Sequence, residues 1–202
     1  MIAIVDYGTG NLRSVQKALE SVGADAKVTS DAEEIRTAKK LVLPGVGAFG
    51  QAMRKLSEVQ LVPVIKDYLE SKRPFLGICL GLQLLFTESE ECPGLKGLDV
   101  FPGIVKRFTE LKVPHMGWNQ IKITKEKKDN PIFKGLKDDT HAYFCHSFYV
   151  EPKDSSIVAT RTDYGLDFVS MIAADTIWAM QFHPEKSQAA GLRILKNFVE
   201  VS

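Results

Sequence analysis

The sequence predicts an α/β protein: an open, mostly parallel central sheet with helices on both faces, joined in its C-terminal half by added antiparallel strands. Three observations carry this. Up to about Gly94, short apolar runs alternate with helically spaced segments, and parallel strands need such crossovers. Beyond Gly94, short strand patterns follow one another with turn residues between them, the spacing of hairpins and meanders. With 45% hydrophobic and 25% charged residues, the composition is that of an ordinary globular chain. At 202 residues and with no linker-like stretch, the chain reads as one domain over 1–202.

The elements follow in order. Ile2–Val5 is a short buried strand. Leu12, Val15, Leu19 and Val22 then repeat at helical spacing, and Gly23 stops them. Asp25–Thr29 is a second strand. Ser30 with Glu33 makes a capping box for a short polar helix. Leu41–Leu43 is a third strand, and helices follow over Gln51–Leu56 and Val62–Glu70. Pro74–Ile78 is a fourth strand, running into a helix over Leu80–Thr87. In the second half, Val100–Phe108, Asn119–Thr124, Ala142–Val150, Ser156–Arg161, Phe168–Ala173 and Ile177–Phe182 are strand candidates. Leu192, Leu195, Phe198 and Val199 mark the apolar side of a closing helix.

Charge and length exclude several classes. The 26 basic residues against 25 acidic ones leave a net charge of +1, too little excess field for a general nucleic-acid binder. The longest uncharged run, Pro74–Thr87, is shorter than the ~18–20 residues that span a bilayer, so no membrane role is expected. The first residues meet Asp6 at once without a basic stretch, unlike a signal peptide. Cys79, Cys92 and Cys145 are sparse and odd in number, which points to a reducing cytoplasm rather than a disulfide framework.

The sharpest chemical signal is Gly77-Ile-Cys79-Leu-Gly81 between a strand and a helix. It is the thiol form of a nucleophile elbow, a turn tight enough to need residues without bulk on either side of the nucleophile. A sulfur at a helix start is also favoured as thiolate by free N–H groups and the helix dipole. A buried small cysteine is the alternative on residue type alone. His183, at the end of a strand and followed by Pro184-Glu185, supplies a base whose tautomer the Glu185 carboxylate can hold. Cys145 and His146 are neighbours on one strand and point to opposite faces, so they cannot share a ligand, and four-ligand metal spacings are absent; no metal is expected. Gly8-Thr-Gly10 lacks the third glycine of a dinucleotide loop, Arg13 standing there instead, and no cofactor is expected. The Pro44-Gly-Val-Gly47 loop lacks the lysine of a phosphate loop but offers backbone N–H donors of the kind that form an oxyanion hole.

Gly77-Ile-Cys-Leu-Gly-Leu-Gln83 and, about a hundred residues on, Phe182-His-Pro-Glu185 together resemble the class I, or triad, glutamine amidotransferases over the whole chain. The Asp6-Tyr-Gly start, the Pro44–Gly47 loop, Met116-Gly-Trp-Asn119 and Phe144-Cys-His-Ser147 look more narrowly like those members that supply imidazole glycerol phosphate formation. The resemblance implies a flavodoxin-like sheet, with Cys79, His183 and Glu185 as catalytic residues that hydrolyse L-glutamine through a thioester. It further implies oxyanion donors at Gly47 and Leu80, and glutamine contacts at Gln83, His146, Ser147 and Phe148. The family's ammonia passes to a cyclase partner of (β/α)8-barrel fold in histidine biosynthesis, and Asn11, Trp118, Tyr143 and Lys186 match positions that face it. Cys145 and Phe148 stand where relatives often carry Val and Tyr, so the expected contacts there are those of the backbone. The alternatives are the glutaminase subunit of pyridoxal phosphate synthase, whose relatives carry Gly-Gly-Glu-Ser in the oxyanion loop, and a non-catalytic binding member of the fold.

Overall fold

The computed structural model describes residues 1–201 except Asp138. The first half builds the centre of the sheet. β1 (Ile2–Val5) is buried along its whole length, sending Ala3 and Val5 into one core and Ile2 and Ile4 into the other. A strand wrapped on both faces must be continuously apolar, which is how this one reads. α1 (Leu12–Ser21) leads to β2 (Ala26–Thr29), and α2 (Ala32–Thr37) to β3 (Lys40–Gly45). α3 (Phe49–Glu58) and α4 (Leu61–Glu70) precede β4 (Phe75–Cys79), which runs straight into α5 (Leu80–Gln83).

The second half contributes β5 (Phe86–Ser89), β6 (Phe101–Arg107), β7 (His115–Gln120), β8 (Lys122–Ile123), β9 (His141–His146), β10 (Phe148–Pro152), β11 (Val158–Asp163), β12 (Asp167–Ala174) and β13 (Ile177–Met180). α6 (Gln188–Glu200) closes the chain. In the main sheet the order is β2-β1-β3-β4-β13-β12-β10-β6-β5, with β11 and β8 branching from β12. The five strands from β2 to β13 are parallel; β12, β10 and β6 then alternate in direction, and β5 pairs parallel to β6. The mostly parallel centre with antiparallel additions is therefore the expected fold. α2, α3 and α4 cover one face through Ile35, Leu56, Ile65 and Tyr68. α1 and α6 cover the other through Val15, Leu19, Ile194, Leu195 and Phe198. Each such aliphatic or aromatic side chain contributes about 1.5–3 kcal/mol by leaving water. Among the described residues no helix is long and apolar enough to cross a membrane.

Four boundaries differ from the sequence reading, each for a physical reason. The cap of α2 is Asp31, not Ser30: its carboxylate accepts from the N–H groups of Glu33 and Glu34, both at 2.9 Å, and a full negative charge suits a helix N-terminus better than a hydroxyl. The helix expected over Leu80–Thr87 is cut to Leu80–Gln83. Leu84, Leu85 and Phe86 are all fully buried, a run that periodicity cannot assign, and Phe86 begins a strand beside Phe101. The run Ala142–Val150 is two strands, because the chain changes sheets at Ser147: β9 pairs with β7, and β10 pairs with β6 and β12. Asn119–Thr124 is likewise the end of β7 and the start of β8, which belong to different sheets.

Candidate active site

β4 lies between β3 and β13, and all three point their carboxyl ends the same way. Ligand sites of open α/β sheets open at this end. Cys79 is the last residue of β4 and holds φ 54°, ψ −106°, a backbone conformation that side-chain-bearing residues rarely adopt. The flanking glycines explain how so sharp a turn fits. A Cβ on Gly81 would run into the carbonyl oxygen of Leu43 on β3. One on Gly77 would stand 2.9 Å from Ala179 Cβ on β13 and 3.0 Å from the Gly81 oxygen. Both glycines are required by the neighbouring strands, and the elbow is the shape that results.

His183 follows β13, the strand next to β4. Its backbone N–H donates to Tyr143 O at 2.9 Å, its carbonyl accepts from the Ser187 hydroxyl at 2.6 Å, and Pro184 starts the turn that returns Glu185. His183 Nδ1 and Glu185 Oε1 are 2.9 Å apart, both side chains almost wholly buried. Glu185 Oε2 is buried without a hydrogen-bond partner among the described residues. Burial alone would lower the His183 pKa, but hydrogen bonds with Cys79 and Glu185, reinforced by their negative charge, outweigh it and push it up to about 10.

The cavity over the elbow encloses about 280 Å³. Its lining includes Val46, Gly47, Cys79, Leu80, Gln83, Glu91, His146, Ser147, Phe148, His183 and Lys186. Every residue expected to catalyse, to hold an oxyanion or to contact glutamine is therefore here, save Glu185, which stands behind His183. Leu80 opens α5, where a backbone N–H has no partner within the helix, and Gly47 sits at φ 94° in the exposed loop after β3. Tyr7, after β1, donates its hydroxyl to Pro44 O at 3.1 Å and packs against Gly45, tethering the start of that loop. A larger opening of about 450 Å³ between Trp178 and α6 is lined by neither cysteine nor histidine.

His146 enters the site differently from the other contacts. Its Nδ1 is 2.7 Å from Phe148 O and its Nε2 is 2.9 Å from His115 Nδ1. A carbonyl only accepts, so His146 carries its proton on Nδ1 and offers the Nε2 lone pair to His115 Nδ1–H. His115 Nε2 then accepts from Asn119 Nδ2 at 3.2 Å. Burial pushes His115 down to about 4; it also drives His146 down to about 3, against the pull of the Phe148 carbonyl. Both rings are neutral and fully used inside the protein, which leaves the backbone of His146–Phe148 to face the cavity.

Three residues here escaped the sequence reading. Glu91 lines the cavity, with one carboxylate oxygen on the Phe49 N–H at 2.6 Å. Gln181 and His115 are buried polar side chains. Only the Gln181-Phe-His183 and His115-Met-Gly spacings could have drawn attention to the last two. On the rim, Lys186 Nζ lies 5.7 Å over the Tyr143 ring, which meets Trp118 edge-on at 6.2 Å and His183 at 6.5 Å. Asn11 is exposed after β1.

A thiol raised on a strand-to-helix elbow, with an imidazole and a buried carboxylate arriving from the next strand, defines an α/β protein built for acyl transfer through sulfur. This chain belongs to the class I glutamine amidotransferases, whose family model matches residues 3–201. It is 55% identical over 206 aligned positions to the imidazole glycerol phosphate synthase subunit HisH of Syntrophotalea carbinolica, covering 98% of each chain. It is 52% identical to the HisH subunit of Methanothermobacter thermautotrophicus, covering 100% of this chain and 98% of that one. Among solved structures, a glutamine amidotransferase superposes with a TM-score of 0.78 at 21% identity, covering 99% of this chain and 98% of that one. The PurLQS structure from Thermotoga maritima gives 0.75 at 18%, covering 98% and 96%. These two likenesses speak for the fold.

Proposed function

We infer that this chain is the glutaminase subunit of an imidazole glycerol phosphate synthase, releasing ammonia from L-glutamine for a cyclase subunit in histidine biosynthesis. The observation that carries it is the full-length identity of about half to subunits of that name, together with the elbow sulfur beside a carboxylate-braced imidazole.

The chemistry follows from the groups present. The Cys79 sulfur, its proton passed to His183, attacks the side-chain amide carbon of glutamine, and the new C–S bond leaves negative charge on oxygen. The N–H of Leu80 and a peptide N–H of the Val46–Gly47 loop take that charge; losing one such donor typically costs about 10²–10³ in rate. His183 gives its proton to the departing nitrogen as the C–N bond breaks, and ammonia leaves. Water, deprotonated by His183, then opens the thioester to glutamate, and the proton returns to sulfur. A base held protonated by Glu185 and the sulfur is suited to the first half of this cycle.

Gln83 and the backbone of His146, Ser147 and Phe148 hold the substrate, with Glu91 offering its second oxygen to the substrate ammonium. Asn11, Trp118, Tyr143 and Lys186 face the partner, a (β/α)8 barrel. Large, rigid aromatic residues beside a cation suit such a surface. The three free cysteines fit a reducing cytoplasm. The test uses the two-subunit complex. Cys79→Ala and His183→Ala abolish glutamine-dependent turnover while added ammonium still drives cyclisation; glutamine-dependent turnover surviving in Cys79→Ala sinks the reading.

A further inference from the structure

Gln181 is fully buried one strand away from the elbow, and its amide is occupied at both ends. Oε1 accepts from Gln83 Nε2 at 3.0 Å, and Nε2 stands 3.6 Å from Cys79 Sγ. Which end is which follows from the neighbours. The same Gln83 nitrogen also donates to Phe148 O at 3.2 Å, and a carbonyl can only accept, so that atom of Gln83 is the nitrogen. A nitrogen there requires oxygen on the facing end of Gln181, which turns the Gln181 N–H₂ toward the sulfur. Phe148 O is itself pinned by His146 Nδ1 at 2.7 Å. The orientation is thus passed along a chain of buried groups with no free choice left in it.

A backbone carbonyl near the sulfur has the opposite preference. Cys145 O lies 3.9 Å away and can accept only from an S–H, so it favours the neutral thiol at long range. An N–H donor favours the anion, because it gains from negative charge and needs no proton on sulfur. We propose that Gln181 is a catalytic residue: its side-chain N–H holds the Cys79 sulfur as the attacking thiolate, and the Gln83–Phe148–His146 chain fixes that donor in place. The proposal rests on the reading of Cys79 as nucleophile and adds to it a donor that does not move protons. The work is shared with His183, which takes the proton; Tyr7 on the β1 side is coupled to the sulfur, Glu185 stands behind His183, and Glu91, His146 and Lys186 line the same cavity.

The test measures how fast iodoacetamide alkylates Cys79 in the full-length chain as a function of pH, with peptide mapping to separate Cys79 from Cys92 and Cys145. Gln181→Met removes the donor at similar volume, and Gln181→Glu replaces it with an acceptor. Both should move the midpoint of Cys79 alkylation upward by about one pH unit or more, a tenfold fall in thiolate on the acid side, with the larger shift in Gln181→Glu. An unchanged midpoint in both folded variants overturns the proposal. Should neither variant fold, the wild-type chain answers through the side-chain amide signal of Gln181 in ¹⁵N NMR. That signal should move with the Cys79 titration and stay still in Cys79→Ala; a flat response in the wild type overturns the proposal. Absence of Cys79 labelling at every pH would instead remove the nucleophile reading itself.

Discussion

His115 and His146 oppose each other in the β7–β9 ladder and share one buried hydrogen bond, Nδ1 to Nε2, at 2.9 Å. Two neutral imidazoles so joined make the site sensitive to acid. In the unfolded chain each takes a proton near pH 6.5, whereas in the fold burial holds them down to about 4 and about 3. Between those limits the unfolded state binds more protons, so folding stability falls as pH drops from about 6.5 toward 4. Urea unfolding midpoints at pH 7, 5.5 and 4.5 should decline in that order. His115→Gln should make the decline shallower, while removing a buried partner of His146 lowers stability at pH 7 by about 1–3 kcal/mol.

His183 has the reverse sign. Its folded pKa, about 10, lies above the unfolded 6.5, so its stabilising effect is complete below pH 6.5 and is lost as pH rises through about 10. Glu185→Gln keeps the shape of the side chain but removes the charge that braces the imidazole. Stability should then depend less on pH between 6.5 and 10, and glutamine turnover should fall by about 10²–10⁴, the usual worth of a positioned acid–base group. Denaturation across that range, paired with ammonia release, checks both.

The elbow was legible because its signal is local: two glycines around a cysteine, between an apolar strand and a helix start. The reason for the glycines was not, since it lies in Leu43 and Ala179 on the strands to either side. Strands β1 and β4 announced themselves by unbroken apolar runs, and the Leu80–Gln83 helix was overextended because Leu84–Phe86 is apolar in every direction. Gln181 and His115 stayed hidden for a related reason. Their roles come from partners 98 and 31 residues away in the chain, contacts that exist only once the strands are paired.

Gly81→Ala tests the steric account of the elbow. The added methyl meets a backbone carbonyl on a central strand, which cannot turn aside as a flexible side chain could. The variant should lose 3 kcal/mol or more, at or beyond the upper end of the ~1–3 kcal/mol typical of overpacking, and lose Cys79 labelling with it. A soluble variant with wild-type melting temperature would show that β3 does not press on the elbow.

Tyr7→Phe separates the loop from the nucleophile. Tyr7 OH is the donor that reaches Pro44 O, and burial, reinforced by the neighbouring Cys79 and opposed by the nearby Thr9 hydroxyl, pushes its pKa up to about 12, so it stays a donor across the working range. Without the hydroxyl the Pro44 carbonyl loses its tether, at about 1–3 kcal/mol, and the Val46–Gly47 peptide two residues on is less firmly held. Because that peptide is assigned to the charged transition state rather than to bound glutamine, kcat should fall more than KM rises. Equal changes in both would place the tether in substrate binding instead.

Trp118 offers the cleanest test of the partner face. It is 48% exposed on β7, edge-on to Tyr143, with Met116 61% exposed two residues before it on the same side of the strand. So large an indole left half in water adds little to the isolated fold, and Trp118→Ala should change its stability by less than about 1 kcal/mol. On the proposed partner face the same side chain would become buried and rigid, the profile of a residue that dominates an interface. Affinity for the cyclase subunit, measured by titration calorimetry, should therefore drop by at least about 2 kcal/mol, roughly 30-fold. An unchanged affinity would move the docking surface off this strand. Lys186, stacked over Tyr143 and lining the glutamine cavity, would then be left as a residue of the cavity rather than a bridge from it to the partner.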